Sequence, residues 1–281
     1  MRPSYEKFKY DNGIPVFVLK VENLDWIAHW HNDIELIYVL GGSIRMGVND
    51  SVKILEAGDM AVVSSGNIHF YDSSAYSSET ILVIFDPQFI HQPLTWPGSS
   101  TFESPFISEA YFKNSNAEQG ISLELKELFL ELLEEAQNSS PYLEYFYKGA
   151  LNKILGLMLR YLPRTGKEKP DSAAGKNILL FQEILDYLDE NHVNDISLES
   201  TAAVFFVSSS YFSKLFKKLS GKTFKDYLNC LRIEKAVDML SGGTQSVSEI
   251  AFSCGFGSIR NFNRVFKKVT GKSPVKYMQD N

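Results

Sequence analysis

Two groups of side chains in this 281-residue chain have the types and spacing to do chemistry. The first is His29, His31 and Glu35, followed further along by His69 and Tyr71. Side chains alternate between the faces of an extended strand, so His29, His31, Asp33 and Glu35 share one face, as do His69 and Tyr71. Three imidazoles and a carboxylate (His29, His31, His69, Glu35) are a competent ligand set for a divalent transition metal. The same groups, joined by Tyr38, Tyr71 and the indoles of Trp26 and Trp30, suit a hydroxyl-rich organic ligand equally well. Aromatic faces stack on sugar rings and fixed polar groups orient hydroxyls; Trp26 and Tyr38 can also be plain packing residues. The second group lies near the C-terminus: Arg260, Asn261 and Arg264, with Lys267 and Lys268. Arginine pairs with guanine and asparagine with adenine in the major groove, each good pair discriminating by ~1–3 kcal/mol. Lysine neutralises phosphate without reading sequence. No nucleophile–base pair or phosphate loop accompanies either group, so an enzyme is not expected.

The charge distribution separates these two groups. A net charge of −6 looks unsuited to a polyanionic partner, yet residues 1–174 carry 14 Lys+Arg against 23 Asp+Glu, a net of −9. Residues 175–281 carry 14 against 11, or +3, and within 196–281 the count is 13 against 6, or +7. A basic C-terminal part tethered to an acidic one fits a chain of which only one half meets nucleic acid. The length suits two domains. Cys230 and Cys254 both sit inside apolar helical patterns and read as buried fillers rather than as a disulfide or metal pair. Met1 to Tyr10 is polar and charged, with no apolar core of signal-peptide type, and no apolar run reaches membrane length. The expectation is a soluble, cytoplasmic protein without a membrane partner.

From Ile14 to Phe85 short β-branched and aromatic runs read as strands: 16–19, 35–40, 43–48, 60–63 and 80–85. Gly41-Gly42, Asn49-Asp50, Gly58-Asp59 and Ser65-Gly66-Asn67 mark the turns. Such spacing argues for an antiparallel barrel or sandwich. The period then changes to that of a helix, with Leu123, Leu125, Leu128, Phe129, Leu132 and Leu133 on one face. A second helix, Leu143 to Leu162, has a wide apolar stripe that includes Phe146 and suits packing on the barrel or a dimer seam. Residues 163–175 are poor in apolar groups and read as a linker. The expected organisation is therefore residues 1–162, a linker of 163–175, and residues 176–281.

Sliding the C-terminal region over itself by 50 residues reveals a repeat. Phe212/Phe262, Phe216/Phe266, Lys217/Lys267, Lys218/Lys268, Gly221/Gly271, Lys222/Lys272 and Tyr227/Tyr277 coincide, as do Ser208 and Ser258 upstream. Before Ser208 the register slips by one residue. In the second copy Ser246-Val247-Ser248-Glu249 is a capping box, and Gly255-Phe256 supplies the tight turn of a helix-turn-helix. The next helix buries Phe262, Val265, Phe266 and Val269, leaving Ser258, Ile259, Arg260, Asn261, Asn263, Arg264, Lys267 and Lys268 outward. In the first copy Leu198, Ala202, Ala203, Phe205 and Phe206 pattern the scaffold helix. Phe212, Leu215, Phe216 and Leu219 anchor the next, with Ser209, Ser210, Ser213, Lys214 and Lys217 outside. A helix from Thr223 to Leu240 joins the copies.

These C-terminal residues resemble the AraC/XylS regulators, through Ala236, Leu240, Ile250-Ala251, Gly255-Phe256, Phe262, Phe266-Lys267-Lys268, Gly271 and Pro274-Val275-Lys276-Tyr277. The resemblance implies two units docked in successive major grooves on one DNA face. Base-contacting positions then fall on Ser210, Ser213 and Lys214 in the first unit and on Ile259, Arg260, Asn261 and Arg264 in the second. Ile259 departs from the polar residue common there and suggests contact with a thymine methyl. The N-terminal half resembles cupins: His29, His31, Glu35 and Gly42 fit H-x-H-x3-E-x6-G. Gly58, Gly66 and His69 fit G-x5-P-x-G-x2-H-x3-N, with Ser64 and Ser73 in place of the proline and the asparagine. Regulators of this family often keep the cupin skeleton and use its cavity for an organic effector.

The combined expectation is an α+β two-domain chain. A cupin-like antiparallel β-barrel with a helix pair precedes an all-α domain of two helix-turn-helix units joined by a long helix. Its function would be sequence-specific binding of double-stranded DNA to regulate, and in particular activate, transcription. The effector would be a small molecule, a sugar first, bound by His29, His31, Glu35, Tyr38, His69 and Tyr71. A homodimer and contact with RNA polymerase go with that reading. The alternatives are a metal-binding cupin enzyme with an accessory DNA-binding domain, and a regulator without a ligand, controlled by protein partners.

Overall fold

The computed structural model describes residues 10, 13–90, 100–114, 120–138, 141–166, 172–241 and 245–280. Most of the N-terminal decapeptide and residues 167–171 of the expected linker lie outside these. The chain forms two compact units, one holding most of residues 7–26 and 30–176 and the other residues 177–281 with the short stretch 27–29.

The first unit is built on strands β1 (Val16–Glu22), β2 (Trp26–His29), β3 (Ile34–Val48), β4 (Ser51–Glu56), β5 (Met60–Val63), β6 (His69–Asp72), β7 (Ser78–Phe85), β8 (Ser100–Phe102) and β9 (Phe106–Ile107). The two runs expected as separate strands, 35–40 and 43–48, are one 15-residue strand, β3. Its first half pairs antiparallel with β7 and β5, its second half with β4 and β6. The register shifts between Val39 and Gly41, and such a bulge bends a strand enough to serve two layers. Among the described residues the main path runs β1-β7-β3-β5-β9 without returning on itself, so the expected barrel is there an open antiparallel sheet.

Period-two alternation assigns the faces of β3. Leu36 and Tyr38 join Val62, Val83 and Phe85 in a core completed by Leu125, Phe129 and Leu132 of α2 (Ile121–Asn138) and Leu151, Ile154 and Met158 of α3 (Leu143–Tyr161). Ile37 and Val39 join Ile44, Met46, Val48, Val63, Leu82 and Ile84 in the interior between the layers. Leu123 and Phe146, expected in the buried stripes, are instead 59% and 46% exposed. A short helix, α1 (Glu109–Asn114), precedes α2. The start of the expected linker is ordered as strand β10 (Arg164–Gly166), which pairs with β8, a strand no sequence pattern marked.

The second unit opens with α4 (Ala173–Asn191), which the sequence reading did not foresee; it buries Phe181, Ile184, Leu185 and Leu188. Then come α5 (Leu198–Val204), α6 (Ser209–Ser220), α7 (Phe224–Ser241), α8 (Val247–Ser253), α9 (Ile259–Thr270) and α10 (Pro274–Asp280). Capping boxes open α5 (Ser197 with Ser200) and α8 (Ser246 with Glu249). Ser208 and Ser258 cap α6 and α9, which end at Gly221 and Gly271 in left-handed backbone. Phe206 and Val269, expected to face inward, are 97% and 42% exposed. Phe206 occupies the turn after α5 with φ +55°, which carries its side chain off the scaffold helix. Among the described residues no helix is long and apolar enough to cross a membrane.

Candidate functional sites

The second unit presents two polar helix edges for the same physical reason. In α6 and in α9 a pair of phenylalanines four residues apart anchors the helix. Phe212 and Phe216 are buried with ring centres 5.6 Å apart, and Phe262 and Phe266 are buried at 5.5 Å. An apolar stripe at that spacing turns the opposite face to solvent. On α6 that face exposes Ser210, Ser213, Lys214 and Lys217, with Ser209 half-buried. On α9 it exposes Ile259, Arg260, Asn263, Arg264, Lys267 and Lys268, with Asn261 half-buried. Arg264 donates from Nη2 to Asn261 Oδ1 at 2.8 Å, so these two side chains are held as a pair. The Ser258 hydroxyl is engaged as the α9 cap, accepting from the Asn261 amide. Lys268 lies 3.7 Å from Asp226, at the α7 end of the edge. Neither α6 nor α9 has an acid in its first turn, which leaves the positive end of each helix dipole open to an anion.

Beside the sheet the structure brings together His29 from β2, His31 from the segment after it, Glu35 from β3 and His69 from β6. All four are at most 2% exposed, and one ligand atom from each lies within 4.8 Å of the others. The backbone orients all three imidazoles alike. Nδ1 of His29, His31 and His69 lies 2.9, 3.0 and 3.1 Å from the carbonyls of Ile27, Asp33 and Asn67. A ring nitrogen facing a carbonyl is the donor, so in each neutral ring Nε2 carries the lone pair. The Nε2 atoms of His31 and His69 lie 3.0 and 3.3 Å from Glu35 Oε2. Lone pairs converging on a carboxylate require positive charge between them, supplied by protons or by a cation. Burial opposes ionisation of Glu35, but the charge of His69 and the His31 hydrogen bond outweigh it and hold the carboxyl far below its usual range. Burial likewise opposes protonation of His31, and the Glu35 hydrogen bond and charge outweigh it, raising that imidazole. The Tyr71 hydroxyl donates to the other Glu35 oxygen.

Tyr38 is not part of this cluster. Three residues beyond Glu35 it points to the opposite face, its ring 5.2 Å from Phe129 of α2, so the alternation of β3 removes it from the ligand set. Asp33 turns instead to accept a hydrogen bond from Tyr10. The carbonyls that orient the imidazoles belong to the backbone, and no residue type marks them in advance.

A cupin family model matches residues 17–85, and a helix-turn-helix family model matches residues 201–280. The chain is 26% identical over 260 residues to the probable transcriptional regulator LumQ of Photobacterium leiognathi, covering 92% of this chain and 95% of that one. It is 27% identical over 247 residues to the arabinose operon regulatory protein of Salmonella typhimurium, covering 85% and 83%. An HTH-type regulator of Escherichia coli, YijO, is 39% identical over 104 residues, a match that spans 37% of each chain. The chain belongs to the AraC family. As an AraC-family protein it is a DNA-binding transcription regulator that carries a cupin domain ahead of its helix-turn-helix units.

Proposed function

We propose that this AraC-family regulator reads two major-groove segments, with α6 and α9 as the groove helices, and that a small molecule in the cupin unit controls the reading. The observation that supports it is the repeated construction of α6 and α9, each with a buried Phe pair behind an exposed polar edge that lacks an acidic first turn. Ser209, Ser210, Ser213 and Lys214 would contact one segment, and Ile259, Arg260, Asn261 and Arg264 the other. Lys217, Lys267 and Lys268 would meet phosphates, and Ser258 would stay beside the backbone as a cap. Footprinting of genomic targets tests this: protection should extend over roughly two helical turns per protomer. Equal binding to random and target DNA at every salt concentration overturns it.

The effector we favour is a carbohydrate, in keeping with relatives named for the arabinose and melibiose operons. The output would be activation, through RNA polymerase, by a homodimer joined at the exposed α2–α3 face that includes Leu123, Leu130, Tyr145 and Phe146. A panel of sugars and other metabolites checks the ligand class, since an effector that binds the native state raises its melting temperature. No shift from any of them favours control by protein partners.

The quartet itself supports a second reading of the cupin unit. His29, His31, Glu35 and His69 fit a divalent transition metal in donor type, number and convergence. A bound metal would supply the positive charge on which three oriented Nε2 atoms and a carboxylate converge. Elemental analysis decides it: stoichiometric metal lost in both His29→Ala and His69→Ala establishes the site, and metal-free protein from metal-replete growth removes it.

A further inference from the structure

The two helix-turn-helix copies are tied to each other by more than the helix that joins them. The ties converge on the loop between α4 and α5. Arg232, in the middle of α7, donates from Nε to the carbonyl of His192 at 2.7 Å and from Nη2 to the carbonyl of Asn194 at 2.9 Å. The same guanidinium lies 5.8 Å from the centre of the Phe256 ring. Phe256 belongs to the turn of the second copy and packs edge-on against Phe262 of α9 at 5.2 Å. Beside it, Gly255 has φ +81°, and a Cβ there would stand 2.6 Å from the His192 carbonyl oxygen and 2.7 Å from that of Val193. The turn of the second copy and the loop leading into the first therefore meet backbone to backbone. Close by on α7, Lys235 makes a 2.6 Å ion pair with Asp189 of α4, its side chain only 7% exposed.

These contacts act on the quantity that a two-helix reader must control. Groove segments repeat every 10–10.5 base pairs, so inserting one pair between half-sites turns the second by about 35° and moves it by about 3.4 Å. A joint that yields tolerates this, and a rigid one does not. Arginine suits a rigid joint because its planar fork places several donors in fixed directions while its face lies on an aromatic ring. Lysine offers one compact ammonium on a flexible stem.

We propose that Arg232 is a positioning residue for DNA reading. By clamping the 192–194 backbone to the turn at Gly255 and Phe256, it sets the separation of α6 and α9 and restricts the operator to one spacing between half-sites. This rests on α6 and α9 being the groove helices.

The test needs no known operator. Full-length wild type, Arg232→Met and Arg232→Lys each select from a pool of duplexes randomised over about three helical turns, and the bound sequences are read. Wild type should yield two half-site motifs at one separation, with affinity falling roughly tenfold for one inserted base pair. Arg232→Met should keep both motifs but accept two or more separations, with that tenfold ratio falling toward one. Arg232→Lys should lie between them. Thermal melts confirm that the variants are folded, and if the methionine variant is not, the lysine variant carries the comparison. Folded variants that keep the single wild-type separation overturn the role of Arg232, as does loss of affinity by the same factor at every spacing. A wild type that selects no paired motif overturns the groove-helix assignment as well, which separates the two failures.

Discussion

Phe212 and Phe216 in the first helix-turn-helix copy stand where Phe262 and Phe266 stand in the second, and all four are at most 1% exposed. Outward, the copies diverge. The first offers Ser209, Ser210 and Ser213 with Lys214, Lys217 and Lys218; the second offers Arg260, Asn261 and Arg264 with Lys267 and Lys268. The turns diverge too: Phe206 at φ +55° projects into solvent where the second copy has Gly255 at φ +81° pressed against the His192 and Val193 carbonyls. A common interior and unlike edges are what results when folding constrains one face of a helix and recognition the other. On the proposed assignment the first copy would bind and the second would discriminate.

The largest effects should be equal in the two copies. Phe216→Ala and Phe266→Ala should each cost ~3–5 kcal/mol of stability, measured by denaturant unfolding, because each empties a fully buried aromatic site. A marked difference would mean that the two scaffolds are not equivalent.

Binding should then separate them. Arg264→Ala should weaken binding to the selected operator by about 10- to 100-fold and relax one half-site. Ser213→Ala should change binding by no more than a few-fold, since a single hydroxyl offers no bidentate pair. Equal losses in electrophoretic mobility-shift titrations would break the proposed division of labour.

The turns predict a smaller and opposite pair of shifts. Phe206→Gly should stabilise the domain by up to about 1 kcal/mol by relieving left-handed backbone that costs a non-glycine residue ~1–2 kcal/mol. Gly255→Ala should destabilise by more than about 1 kcal/mol, since it adds both strain and a clash. Melting temperatures that move together would contradict the reading of these turns.

The smallest contrast lies in the caps. Glu249 is held below the usual carboxylate range by the Ser246 hydroxyl and then by its amide. A depressed folded-state value gives a contribution present above the unfolded-state value, near 4.3, and lost as pH falls through the folded one. The first copy has Ser200 at that position, which does not titrate. Melts between pH 7 and pH 3 should show a slight acid sensitivity that Glu249→Gln removes and Ser200→Ala leaves alone.

Local periodicity carried most of what could be read without a structure. The Phe–Phe spacing, the serine caps and the closing glycines specify α6 and α9 within a few residues of each other, and the charge imbalance tells which half is basic. His29, His31, Glu35 and His69 were also legible from their spacing, although the single strand expected over 29–35 is broken between β2 and β3 and the four residues meet from separate segments. Helix α4 was missed because its partner, Phe216, lies 35 residues beyond Phe181, with ring centres 5.1 Å apart. The exposed Phe206 was missed because an apolar side chain in a left-handed turn looks like core until the backbone is known.

By itself, then, the amino-acid order determined the helical repeat and its polar edges, consequences of hydrogen bonding and side-chain direction within a few residues, and its motif spacing marked the histidine–glutamate group that the sheet pairing then brings together. Tertiary structure alone decided that β3 is one strand shared by two layers, that Tyr38 faces α2 rather than Glu35, and that three backbone carbonyls orient the imidazoles. It alone also decided that Arg232 meets the His192 and Asn194 carbonyls and the Phe256 ring. Each of those outcomes depends on which distant backbone atom a group meets, and no local periodicity encodes that meeting.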